Sequence, residues 1–61
     1  MPMSFRPGDR VRLTGGSFTG RSGTVSTIGA ESATVIVDVF NRQTPVEVKI
    51  SELEPLPGEP Q

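Results

Sequence analysis

The chain has 61 residues, room for one small domain, with six basic against seven acidic side chains and a net charge of −1. A domain of this size hides only about 60% of the surface its unfolded chain exposes, so its core is thin and leaves little room for a buried catalytic cleft. The absence of Cys and His excludes disulfides, thiolate nucleophiles, imidazole bases and nearly every transition-metal site, and no cofactor is expected.

No apolar run approaches the ~20 residues of a membrane span, and none follows Met1 in the manner of a secretory leader. The sequence therefore predicts a soluble, cytoplasmic chain, and nothing in it demands more than a monomer. Its charge is unevenly spread. Residues 1–30 carry four Arg and one Asp, whereas residues 31–61 carry one Arg, one Lys, one Asp and five Glu. The low pI, near 5.1, counts against strong nonspecific nucleic-acid binding, although a local basic face stays possible.

Residues 1–4 read as a flexible N-terminal segment, and Pro7 and Gly8 oppose regular structure up to Asp9. Arg10-Val11-Arg12-Leu13 alternates as a half-buried strand should, with Val11 and Leu13 inward and both arginines toward solvent. "TGGSFTGRSG" (14–23) holds four glycines and one aromatic, the composition of a loop. Thr24 to Ile28 is the second strand, but Val25 and Ile28 are three apart and face the same way only across a bulge. "GAES" (29–32) is a turn.

Thr34 to Phe40 is the clearest strand, with Val35, Val37 and Val39 on one face. After a reversal at Asn41, Val46, Val48 and Ile50 alternate with Glu47 and Lys49; Pro45 belongs at that strand's start or on a sheet edge. "SELE" (51–54) has capping-box spacing and predicts a short helical turn, with Leu53 and Leu56 closing the core. Residues 57–61 read as a flexible Pro-rich tail. Four or five short strands, frequent Gly turns and few helix signals together indicate an all-β fold, a small barrel, with closure expected to remove the sheet edges.

Parity then isolates Phe40. With the three valines inward, it falls on the outer face or in the turn. Two readings are open: a hydrophobic plug folded over one barrel end, or an exposed residue that another molecule covers. Phe18, alone among glycines, poses the same choice between pinning its loop and meeting a partner. Arg42 is a solvated charge by default and a rim contact beside an exposed aromatic.

"FRPGDRVRLTGGSFTGRSGTV" resembles the opening of a KOW motif, and "VDVFNRQTPVEVKISELEPL" resembles the closing half of the C-terminal KOW domain of the NusG family of bacterial transcription elongation factors. The resemblance covers residues 5–56. It implies an SH3-like five-stranded barrel that does no chemistry and serves transcription elongation, termination and antitermination. The partners it implies are the ribosomal protein NusE and the termination factor Rho.

By the same resemblance, Phe18 matches the first-loop aromatic, and Val39, Phe40 and Arg42 match the apolar, aromatic and basic positions of the hairpin. Thr19, Arg21 and Asn41 complete the expected partner-binding set. The sequence departs from the family pattern where Asn41 replaces a Gly, Arg21 a second aromatic and Ser17 a Pro. RNA polymerase contact is expected only through an N-terminal domain outside these residues.

Two other classes are open to such a sequence. As an RNA-binding KOW module of ribosomal type, the chain would use Arg6, Arg10, Arg12 and Arg21 on phosphates, with Phe18 or Phe40 stacking on a base. As an enzyme it has only carboxylates and hydroxyls, and no phosphate loop of Walker spacing. Asp38 and Glu47 are the one pair placed to meet across the hairpin, and they read better as solvated charges.

Overall fold

The computed structural model describes residues 5–56; the flexible ends expected at 1–4 and 57–61 lie outside them. Five strands form one antiparallel sheet: β1 (Arg10–Leu13), β2 (Ser22–Ile28), β3 (Ser32–Val39), β4 (Arg42–Lys49) and β5 (Leu53–Pro55), ordered β4-β3-β2-β1-β5. The first four make a meander, and a 3-10 turn at Ile50–Glu52 returns the chain so that β5 pairs with β1, Leu53 opposite Leu13.

The alternation read from the sequence is the alternation that is buried. Val11, Leu13, Val25, Ala33, Val35, Val37, Val48 and Leu53 form the core, and Phe5, Phe18, Val39, Val46 and Ile50 pack around it. Each fully buried Val or Leu contributes about 1.5–3 kcal/mol relative to exposure, so Val11, Leu13, Val25, Val35 and Val37, the fully buried side chains, carry most of what stabilises this domain. The bulge expected in β2 is present: Val25 faces Val35, but the register shifts before Thr27 faces Thr34. Ile28 thereby regains the parity of buried Ala33, although it lies past the core and stays 36% exposed.

The edges are handled differently from full closure. β4 and β5 end the sheet order; among the described residues no ladder joins them, and the 3-10 turn connects one to the other. Pro45 sits inside β4, opposite Ile36. With Val39 and Arg42 as the pair closing the reversal, ladder alternation turns the backbone of Gln43, Pro45, Glu47 and Lys49 to the free edge. The donor that Pro45 lacks is therefore one the sheet does not use, and a charged pair follows it, as suits an exposed edge.

Two local expectations are corrected. The loop ends at Arg21, because Ser22 and Gly23 already belong to β2. Gly23 is required by contact: a Cβ there would stand 2.3 Å from the Ile36 carbonyl oxygen and 2.8 Å from Val35 Cγ1. Ser51 caps nothing, since the turn starts one residue earlier without a side-chain cap. Glu54 instead accepts from Arg12 Nε at 2.8 Å, a half-exposed pair worth less than about 1 kcal/mol. Asp38 and Glu47 are exposed and stay apart, in line with their reading as solvated charges: Asp38 faces Gln43 and Glu47 faces Thr34.

Gly23→Ala should cost about 2–3 kcal/mol, as overpacking against a backbone carbonyl has little room to relax. Urea unfolding checks this; an unchanged midpoint contradicts the close approach of β2 to β3.

Candidate functional site

The site is built by two connections of the meander. The β1–β2 loop (14–21) and the β3–β4 reversal leave the sheet at the same end, because both follow an odd-numbered strand of an antiparallel run. Gly23 faces Val37, so the residues just before β2 flank those just after Val37. One polar contact joins the two segments: Arg21 Nη1 donates to the Asp38 carbonyl at 3.4 Å, a long and weak bond.

The hairpin is set by its register. Val39 faces Arg42, which leaves two residues for the whole reversal. Both take positive φ, 52° at Phe40 and 63° at Asn41, the pattern of a type I′ turn. Asn visits this region at small cost, but a bulky residue there loses roughly 1–2 kcal/mol. Phe40 is nonetheless 89% exposed, so its ring returns almost nothing to the core. Of the two readings left open by parity, the plug is excluded for the free chain. Asn41 and Arg42 are also exposed, whereas Val39 is half-buried against the core.

The first loop is tied down. The Gly20 amide donates to the Leu13 carbonyl and the Leu13 amide to the Arg21 carbonyl, both at 2.8 Å. The Thr19 hydroxyl donates to the Gly16 carbonyl at 2.7 Å. Gly16 and Gly20 carry φ of 84° and 91°, which spares an L side chain the same strain. Phe18 is half-buried and packs against the core. It therefore pins its loop while keeping one face at the surface; Thr19 and Arg21 are exposed.

The seven residues singled out from sequence thus fall into one end of the fold, two of them half-buried and five exposed. What sequence reasoning missed is a groove of about 650 Å³ beside the hairpin, lined by Arg10 and Arg21 together with Asp38 and Gln43. Arg10 was legible as an outward strand residue, but only the register shows that it shares a surface with the hairpin. The described residues include no cluster of three or more potential metal ligands, and no helix among them is long and apolar enough to cross a membrane.

Comparison with known proteins places these features in context. The KOW motif family profile matches residues 7–38. A transcription termination/antitermination protein NusG from Thermus thermophilus is 42% identical over 53 residues, covering 84% of this chain and 29% of that protein. The NusG proteins of Staphylococcus carnosus (43% over 51 residues, 80% of this chain and 28% of theirs) and Deinococcus radiodurans (42% over 53 residues, 84% and 28%) are similarly related. The chain spans less than a third of the length of these curated relatives.

Phe40→Asn should raise stability by about 1 kcal/mol, because it removes a bulky side chain from the left-handed region. Phe18→Ala should lower stability by roughly 2 kcal/mol, about half the cost of truncating a fully buried Phe. Thermal and urea unfolding of the two variants separate an exposed ring from a packed one; a destabilised Phe40→Asn would contradict the placement of that ring.

Proposed function

We propose a function from the premise that this chain belongs to the KOW-motif family, as a KOW domain of the NusG type: it is a non-enzymatic protein-docking module of the bacterial transcription machinery. The observation that carries the reading is Phe40, exposed at 89% in a backbone conformation that disfavours it. Backbone strain and an uncovered aromatic on one residue cost the free chain in two ways, and burial of the ring by a partner offsets both. The names of the relatives, transcription termination/antitermination proteins, supply the setting.

Within that setting the partners are the ribosomal protein NusE, the termination factor Rho, or both. Phe40 is the central contact. Half-buried Val39 and Phe18 extend the apolar surface on either side, and Arg42, Asn41, Thr19 and Arg21 form a polar rim. Such a patch is small, at or below the ~1,200 Å² typical of transient contacts. A micromolar dissociation constant, about −8 kcal/mol, is the corresponding affinity.

Titrating labelled chain with NusE or Rho should shift the amides of residues 17–21 and 39–43. Phe40→Ala should weaken binding by about 2 kcal/mol, near thirtyfold, while leaving the fold intact. If those amides stay in place at saturating concentrations of both proteins, the proposal fails.

A further inference from the structure

We infer that the groove beside the hairpin is an acidic-side-chain pocket: Arg10 and Arg21 receive a carboxylate of the protein that covers Phe40. This rests on the protein-docking reading above and adds the chemistry that the partner must present next to its apolar contact.

The groove lies on the outer face of the sheet. Arg10 faces Thr24, which faces Ile36, so these three line up across β1, β2 and β3. Asp38 and its partner Gln43 form the wall nearest the hairpin, and Arg21 closes the loop side. Phe40 is two residues beyond Asp38, so a molecule seated on the ring is within reach of the groove.

The charges decide what fits. Arg12 is engaged with Glu54, the one side-chain ion pair among the described residues. Arg10 makes no side-chain hydrogen bond or ion pair among them, and Arg21 has only the long contact to the Asp38 carbonyl. Two guanidinium groups with unused donors therefore border one polar groove, with no carboxylate paired to either. A guanidinium fork matches a carboxylate bidentately. Phosphate would suit it too, but a nucleic-acid strand brings a run of negative charges. That run would meet Asp38 in the wall on a chain of net charge −1, whereas one carboxylate balances the two arginines against that single aspartate. The groove favours an acidic residue of a protein over a phosphodiester backbone.

The test uses two probes on the labelled chain at low ionic strength: a blocked peptide carrying one glutamate between glycines, and pentauridylate. The peptide should shift the backbone amides of Arg21, Thr24 and Gln43 and the Nε–H signals of Arg10 and Arg21. Arg10→Gln and Arg21→Gln should each weaken it about fivefold, the size of one exposed ion pair. Both side chains are exposed, so the variants keep the fold, which their amide spectra verify.

No shift at these positions, shifts insensitive to both substitutions, or tighter binding of pentauridylate at the same residues would each overturn the inference. None of these outcomes touches the response of Phe40 and Asn41 to NusE or Rho. Failure of the groove and failure of the docking reading are therefore distinguishable.

Discussion

The pairing of Val39 with Arg42 is the constraint from which the site follows. It leaves two residues for a complete reversal of the chain, and a reversal that short between twisted antiparallel strands requires positive φ at both. The register itself is not free to slip. Shifting β3 against its neighbours by one residue would turn Val35 and Val37, both fully buried, out of the core. Burial of the valines therefore dictates that Phe40, whatever its own preference, occupies the first turn position.

A sequence selected for stability alone would place Asn or Gly at that position and a polar residue on its surface. The chain places Phe there instead. For a domain whose whole stability is expected near the low end of about 5–15 kcal/mol, a strain of 1–2 kcal/mol is a substantial fraction. The rest of the fold limits the consequence. Gly23 lets β2 press against β3, the first loop is tied through Leu13, and Phe18 holds that loop to the core. These ties keep the surroundings of the hairpin ordered, so the exposed ring projects from a rigid base, and little ordering entropy is left to lose on docking.

Much of this was legible in the sequence because the period-2 rule is strict where one sheet face is buried. The valines of β3, the bulge after Val25, the edge position of Pro45 and the outward placement of Phe40 all follow from alternation and the missing proline donor. Other features were not legible because they depend on contacts between segments distant in sequence. Gly23 reads as loop composition, although the carbonyl of Ile36 makes it a strand residue. Ser51 and Glu54 have capping-box spacing, but Arg12, across β1 and β5, claims the Glu54 carboxylate. Phe18 was open to pinning its loop or meeting a partner, with the pin favoured, and only packing shows that it holds the loop. The groove between Arg10 and Arg21 required the strand register, which no local pattern supplies.

The central claim is that the hairpin holds the Phe40 ring away from its own core in a left-handed backbone conformation. Nuclear Overhauser contacts in the free, isotopically labelled protein test it most directly. The account predicts a strong intraresidue cross-peak between the amide and α protons of Phe40, as positive φ requires, and no contacts from its ring protons to the methyl groups of Val35, Val37 or Leu53. Ring-to-methyl contacts of that kind, together with a weak intraresidue peak, would show the ring folded into the barrel and would contradict the account.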